Sequence, residues 1–493
     1  MNFEVFLVML RLILFKVLIF GVLFSQINWS HTYGDSINAD DGWSIDQTTD
    51  GGFILGGMSY YRAILKKINS SGVIEWSRIY EKSEDDNINN VKQTSDGGYI
   101  ATGYCIDDDT WDYQAWTFKL DSLGEVEWED VFGSTNKGNT GEDVIETSDG
   151  GFVITGNKDN NGDNAKALLR KYSNDGQLLW SQTYSSSNYN EGLSLIETSD
   201  SNLVFVGFSG TSHGAYKHFM VKTDSDGNQI WKKRFGNNTQ QSLNAVLENT
   251  DGSFVATGYT NNYDDLYIVK RNIEGDLDWQ KTIDHSDSDD WDTDQGNDIT
   301  LAHGGGFYIL GSTNMYPATA GQDDFWLLKV NSEGDTLWTD VIGGEWWDIG
   351  QSLIQIENGN LLLFGTTDSY TSYPENQYDT DFWLISYSPD LVQIYDDNIS
   401  PKLFQLSNAY PNPFNPKTVI NYEVIDQGFV SIDIFDLNGL LVKNIIQKDH
   451  FAGNHSITWD GKNESGIKVA SGNYFYTLKA NNFSETKKVI VLK

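Results

Sequence analysis

Apolar and polar residues alternate in short runs along most of the chain. In residues 115–121, Trp116, Phe118 and Leu120 fall on one side, and Thr117, Lys119 and Asp121 on the other. A period of two predicts strands rather than helices. Residues 43–80 read as one unit of four antiparallel strands: the first ends near residue 48, and the others cover 53–58, 62–69 and 73–80, with turns at 49–52 and 70–72. Glycine in those turns supplies positive φ, and the Asp or Asn before it bonds the local backbone.

The unit recurs with a period of about 50 residues. A glycine precedes a tryptophan by four residues at Gly72–Trp76, Gly124–Trp128, Gly176–Trp180, Gly227–Trp231, Gly275–Trp279 and Gly334–Trp338. An Asp-Gly-Gly turn or a relative recurs at Asp50, Asp96, Asp149, Asp200, Asp251, Gly304 and Asn358. Seven turn marks against six tryptophan marks leave one tryptophan strand missing at the end, while Trp29 lies in a strand with no unit before it. The pattern predicts a seven-bladed β-propeller over residues 27–395 whose N-terminal strand completes the last blade; residues 392–395 are the competing source of that strand. Closure removes the exposed edges that an open array would leave. The repeated tryptophans are expected in the core.

In such a meander every length variation falls on one face, in the second-to-third-strand loops 104–114, 313–322 and 368–380 and in the connection 283–297. Long loops on a rigid scaffold are where binding residues concentrate. They carry Trp111, Tyr113, Trp291, Tyr316, Trp346, Trp347, Tyr370, Tyr373 and Tyr378 beside acids and amides, a mixture suited to stacking on sugar rings or to protein contact. Asp287, Asp289, Asp290, Asp292 and Asp294 offer oxygens for calcium without EF-hand spacing, and the run Asp159 to Asp163 is similar. No other cofactor is predicted.

Composition narrows the partners. Among 493 residues, 33 Lys+Arg against 70 Asp+Glu give a net charge of −37, which excludes a basic nucleic-acid footprint, disfavours an anionic membrane and favours a soluble monomer. The one cysteine, Cys105, forbids an internal disulfide framework. Seven scattered histidines form no HExxH motif, and no GxSxG occurs. His303-Gly-Gly-Gly306 is similar to an esterase oxyanion loop but occupies the repeat's turn. The many acids leave carboxylate pairs for glycoside cleavage open.

Residues 1–26 are nearly all apolar, but Arg11 and Lys16 leave an apolar core of only 17–24, too short for a bilayer and suited to a signal peptide cleaved near Ser25 or Gln26. No transmembrane span is expected in the mature chain. At the other end, a linker 396–403 leads into residues 404–493, where strands at 418–424, 430–435, 441–446, 456–459 and 474–480 predict a β-sandwich.

The Gly-x-x-x-Trp mark after a Lys-x-Asp/Asn strand, as in Lys119–Trp128 and Lys222–Trp231, is similar to the tryptophan-docking repeats of quinoprotein-like propellers and to secreted repeats of the delta-60 kind. The adjacent cysteines of the alcohol-oxidising quinoproteins are missing. Residues 404–493 resemble the type A sorting domain of type IX secretion, a domain of immunoglobulin-like fold related to the flagellar hook-capping protein. The resemblance lies in Tyr410, Pro411, Asn412 and Pro413, the segment Ile434 to Gly439, Gly453 through Gly461, Ser471 to Tyr474 with Gly472, and a closing strand with Lys487 and Lys488. It implies Sec export in a Gram-negative bacterium, the type IX secretion machinery as partner, and release or attachment at the cell surface. The expected function is non-catalytic binding of an extracellular polysaccharide or surface protein; a carbohydrate-active hydrolase or lyase and a structural envelope or matrix part are the alternatives.

Overall fold

The computed structural model describes residues 27–34, 39–133, 137–160, 164–211, 215–237, 239–284, 293–314, 322–344, 346–371 and 380–389, and then 404–406, 409, 411–412, 414–424, 428–436, 440–450, 453–480 and 483–491. The chain divides into two compact units, Met1–Val392 and Gln393–Lys493.

The first unit contains seven four-stranded antiparallel sheets among the described residues. Blade 1 runs Asp40–Gln47, Phe53–Ser59, Arg62–Ile68 and Ile74–Tyr80, within a residue or two of the sequence reading. Five further blades repeat this meander. The seventh joins Asp348–Gln355, Leu361–Thr367 and Asp381–Tyr387 to the N-terminal strand Ile27–Tyr33, which pairs with Tyr33 opposite Phe382 and Ile27 opposite Tyr387. Each inner strand packs on the next blade, and Asp40–Gln47 packs on the inner strands of blade 7, so the ring closes as a β-propeller. The competing segment 392–395 lies outside the described residues.

Two expectations change. The alternation in residues 115–121 reads as an apolar and a polar side, yet in Tyr113–Leu120 every residue from Ala115 on is buried, because blades cover both faces of the sheet. Lys119, 1% exposed, therefore needs a partner, and its ammonium reaches Asp96 of the Asp-Gly-Gly turn at 2.9 Å. The same pair recurs as Lys67–Asp50 at 2.8 Å, Lys171–Asp149 at 2.5 Å, Lys222–Asp200 at 2.9 Å and Lys270–Asp251 at 2.7 Å. In blade 6 the turn is His303-Gly-Gly-Gly306; Lys329 donates to the Gly305 carbonyl and stands over the Tyr308 ring at 4.3 Å, and burial pushes its ammonium down to about 8.

The repeated tryptophans are not core either. Each lies on the outermost strand, only partly buried and packed on the core, and those of blades 1 to 5 clasp the third-to-fourth-strand turn of the next blade. Indole Nε1 of Trp128 donates to Asn174 O at 3.0 Å, and that of Trp231 to Ile273 O at 3.0 Å. Four residues on, Tyr80 Oη donates to Gly124 O at 2.9 Å and Tyr184 Oη to Gly227 O at 2.6 Å. Gly124 has φ +79° and a Cβ there would meet Trp76 at 3.0 Å, so the fixed glycine–tryptophan spacing builds both halves of one joint. The closing strand makes the same joint, since Tyr33 Oη donates to Gly72 O at 2.7 Å.

In the second unit a three-stranded sheet (Phe404–Leu406, Thr418–Val424, Gly453–Trp459) and a four-stranded sheet (Leu441–His450, Gly428–Phe435, Gly472–Ala480, Phe483–Val491) supply one core that includes Ile420, Ile432, Trp459 and Tyr476.

Burial pushes the turn carboxylates up, but hydrogen bonds from lysine, the turn's own side chains and backbone outweigh it and hold Asp50, Asp96, Asp149 and Asp200 at about 2. A folded value below the unfolded ~3.9 means that their stabilisation is complete above about pH 4 and is lost as pH falls through about 2. Stability in urea should decline over that window. At pH 7 Asp96→Asn should cost about 1 kcal/mol by leaving the buried Lys119 with only Glu127 and the Leu120 carbonyl, and adding Lys119→Met should recover much of that loss. Equal stability of Asp96→Asn and wild type would show that the pair is not a fastener.

Candidate functional site

Every inner strand slips register by one residue at the same height: between Gly42 and Ser44, Ile88 and Asn90, Gly141 and Asp143, Gly192 and Ser194, Leu243 and Ala245, Gly296 and Asp298, and Gly350 and Ser352. A bulge leaves its extra residue unpaired and re-aims its side chain. Those extra residues are Trp43, Asn89, Glu142, Leu193, Asn244, Asn297 and Gln351. The asparagines tie neighbouring inner strands together: Asn89 Nδ2 donates to Gly141 O at 2.9 Å, Asn244 Nδ2 to Gly296 O at 3.1 Å and Asn297 Nδ2 to Gly350 O at 2.8 Å.

Four of the seven, Trp43, Asn89, Glu142 and Gln351, line a cavity of about 400 Å³ together with Asn87, Tyr104 and Thr140. The lining comes from the starts of inner strands and the end of a second strand, which is the long-loop side of the ring. Its volume lies within the ~300–1,000 Å³ of small-molecule sites, and it sets one large aromatic among amides, hydroxyls and a carboxyl.

Glu142 stands beside Glu191 of the next blade's inner strand, joined through one amide: Asn157 Nδ2 donates both to Glu191 and, at 2.8 Å, to the Thr140 hydroxyl that itself donates to Glu142. Both side chains keep partial access to solvent while protein walls them in on most sides. Burial raises both carboxyls, and their mutual repulsion raises Glu191 further, so the pair retains a proton. Asn157 Nδ2 donates to Glu191 Oε1 at 2.7 Å, Asn89 Nδ2 to Glu142 Oε2 at 3.1 Å, and the Thr140 hydroxyl to Glu142 Oε1. Asn87 and Asn157, 4% and 3% exposed, leave their Oδ1 atoms without partners. Three residues along the inner strands from this layer, Lys92 stands 3.7 Å from Asp46. Burial acts to lower the Lys92 ammonium, and Asp46, Asp143 and Asp298 more than reverse it.

Of the aromatic residues expected at the site, Tyr113 comes nearest the cavity: it packs edge-on against Tyr104 with centroids 4.9 Å apart. Trp111 stands 65% exposed with φ +61°, a left-handed conformation rare for a bulky residue. Asp107 holds its loop by accepting from Asp109 N at 3.1 Å and Thr110 N at 3.0 Å. Trp347 and Tyr370 are exposed at blades 6 and 7; Trp346 is partly buried, and Tyr370 is anchored by its hydroxyl to Gly343 O at 2.8 Å. Trp291, Tyr316, Tyr373 and Tyr378 lie outside the described residues. Sequence reasoning missed Tyr60 and Tyr61, exposed side by side on the blade 1 loop, and the whole bulge column. The signal for that column is present: aligned repeats put a polar residue at this one place in five of seven inner strands.

Of the expected calcium ligands, Asp287, Asp289 and Asp292, with Asp290, lie outside the described residues. Asp294 opens an inner strand and is 1% exposed. It occupies the place of Asp86 and Asp348, whose carboxylates accept from loop backbone, Asp86 from Lys82 N at 2.6 Å and Asp348 from Gly344 N at 2.7 Å; this position is one of loop capping. Among the described residues no three His, Cys, Asp or Glu side chains are grouped to hold a metal ion. Burial pushes the Cys105 thiol up to about 12.

In the second unit, Tyr410 and Pro413 lie outside the described residues, while Pro411 is exposed and accepts from the Thr418 hydroxyl at 2.7 Å. Asn412 acts as a strand surrogate: its Oδ1 accepts from Ile490 N at 2.9 Å and its Nδ2 donates to Lys488 O at 3.1 Å. The motif thereby fastens the strand carrying Lys487 and the exposed Lys488. Gly453 pairs with Val424, and Gly472 opens its strand opposite Val491.

Residues 424–484 match the family described as the FlgD Ig-like domain. No curated protein matches the chain. Among solved structures, PorZ of Porphyromonas gingivalis, described as an essential bacterial surface component of the type IX secretion system, is 11% identical with a TM-score of 0.44, over 91% of this chain and 59% of PorZ. This chain thus spans about three fifths of PorZ. Virginiamycin B lyase from Staphylococcus aureus is 12% identical with a TM-score of 0.46, over 72% of this chain and 99% of the lyase. A fungal alcohol oxidase in complex with copper is 11% identical with a TM-score of 0.46, over 95% of this chain and all of the oxidase. Likeness at this level carries no activity across. Among the described residues no helix is long and apolar enough to cross a membrane.

The glutamate pair generates its own pH dependence. Folded pKa values raised above the unfolded ~4.3 make its contribution complete below that value and lost as pH rises through the folded pKa values. Thermal unfolding from pH 5 to pH 9 should show a falling melting temperature that Glu191→Gln flattens. An unchanged slope in Glu191→Gln would place the titration elsewhere.

Proposed function

We propose that the chain is an exported glycan-binding propeller, carried to the outside of a Gram-negative cell by the type IX machinery and sorted by its C-terminal sandwich. The observation that carries the binding reading is the polar recess on the long-loop side, where Trp43 offers a flat apolar face among Asn87, Asn89, Thr140 and Gln351. Sugar rings present apolar faces and outward hydroxyls, and an aromatic platform ringed by amides answers both. Trp111 and the Tyr60–Tyr61 pair extend aromatic surface around the same side of the ring.

The environment of Glu142 supports binding rather than cleavage: its carboxyl is occupied by donors from Asn89 and Thr140 on the recess wall. Sorting rests on the sequence motifs of residues 404–493 together with the immunoglobulin-like match at 424–484.

In a polysaccharide panel followed by calorimetry and by reducing-sugar release, the full chain should bind without turnover. Trp43→Ala should weaken binding tenfold or more, and Trp111→Ala should weaken only long polymers. Sugar release would overturn the non-catalytic reading, and silence across the panel would overturn the glycan. Removing residues 404–493 should leave the propeller inside the cell envelope; its appearance in the medium would refute the sorting role.

A further inference from the structure

The recess has an imbalance that its own residues do not resolve. Glu142 lines the recess and Glu191 stands just behind it, the two linked by Asn157 Nδ2, which donates to Glu191 at 2.7 Å and to the Thr140 hydroxyl bound to Glu142; Asp143 on the same strand adds to the repulsion on Glu142, and among the described residues no ion pair offsets either. Lys92, three residues beyond the bulge of its inner strand, is committed to Asp46, Asp143 and Asp298. Tyr189 faces the pair as a neutral phenol whose hydroxyl accepts from Asn160 Nδ2 at 2.7 Å. Two nearly buried amide oxygens, Asn87 Oδ1 on the cavity wall and Asn157 Oδ1 beside Glu191, also lack donors. Among the described residues the lining holds no Lys, Arg or His. The site is thus rich in acceptors and negative charge, with a single unpaired donor among the described residues, Trp43 Nε1, on its wall.

Resting on the glycan reading above, we propose that the recess is a subsite for a free amino sugar, its ammonium group seated on Glu142 and Glu191 and its ring stacked on Trp43. An ammonium brings three donors and one positive charge, so it satisfies both carboxylates and displaces the proton they retain. An acetylated amine carries no charge and a single N–H, and a uronate or sulfated sugar adds negative charge where none is offset. The subsite therefore selects deacetylated over acetylated polymer and rejects acidic glycans.

The test is calorimetry of the full chain at pH 6.5 with glucosamine hexamer, N-acetylglucosamine hexamer, polygalacturonate, pentalysine and calcium chloride, repeated in two buffers of different ionisation enthalpy. The glucosamine hexamer should bind at least tenfold more tightly than its acetylated form, and the two buffers should report proton release. Glu142→Gln and Glu191→Gln, which keep shape and hydrogen bonding, should each weaken the glucosamine hexamer tenfold or more and abolish the release, while the acetylated hexamer is bound as by wild type. Equal binding of both hexamers, no proton release by wild type, or preferential binding of pentalysine, calcium or polygalacturonate would overturn the amino-sugar subsite. Equal binding that Trp43→Ala abolishes would leave the glycan reading standing, whereas no binding of any sugar would remove both.

Discussion

A four-stranded sheet stacked face to face around an axis cannot stop partway without leaving a whole buried face open to water, so every feature of the first unit depends on closing the ring. The chain closes it with the N-terminal strand Ile27–Tyr33, paired to Asp381–Tyr387 from the other end of the unit. Tyr33 then completes with Gly72 the joint that Tyr80 makes with Gly124 and Tyr184 with Gly227. A second set of fasteners runs on the short-turn side, where Glu146 accepts from Ser95 N and Glu197 from Ser148 N, each at 2.7 Å. These fasteners hold the inner strands at one height, which is why seven bulges line up and a recess forms from residues far apart in sequence.

Repetition also shows where one interaction substitutes for another. Five blades pair a lysine, buried in four of them and partly buried in blade 5, with a turn aspartate; blade 6 keeps Lys329 without the carboxylate, and blade 7 places Ser386 and Asn358 at the two positions. A buried ammonium without a counter-charge is costly, so losing the lysine together with the aspartate is the self-consistent change. The last joint departs as well: Trp338 of blade 6 meets no fourth-strand turn in blade 7, because that strand comes from the other end of the chain. It stacks instead on Tyr387, with centroids 6.2 Å apart.

The fold was largely legible because strand alternation, turn glycines and tryptophan spacing are local patterns, and local patterns fix local structure. The unmatched Trp29 even identified the closing strand. Two readings failed for one reason, that burial between blades is not written in a single strand: Lys119 looked solvent-facing and is enclosed, and Trp76 looked enclosed and is a half-open clasp. The recess was invisible for a related reason. Trp43, Glu142 and Gln351 belong to three blades and meet only after closure, while Glu142 and Glu191 are two among 70 acids until the ring sets them side by side. Aromatic residues in long loops pointed to the side of the ring where the cavity opens but not to the residues of its wall; among the described ones Tyr113 reaches that wall by packing on Tyr104.

The central claim is that a ring built for closure presents a sugar-binding recess where its inner strands bulge. A crystal structure of the full chain with glucosamine hexamer tests it most directly. The account predicts a sugar ring over Trp43 with its amine within hydrogen-bonding distance of both Glu142 and Glu191. Sugar found only on the outer loops or on the short-turn face, with the recess holding solvent alone, would contradict it.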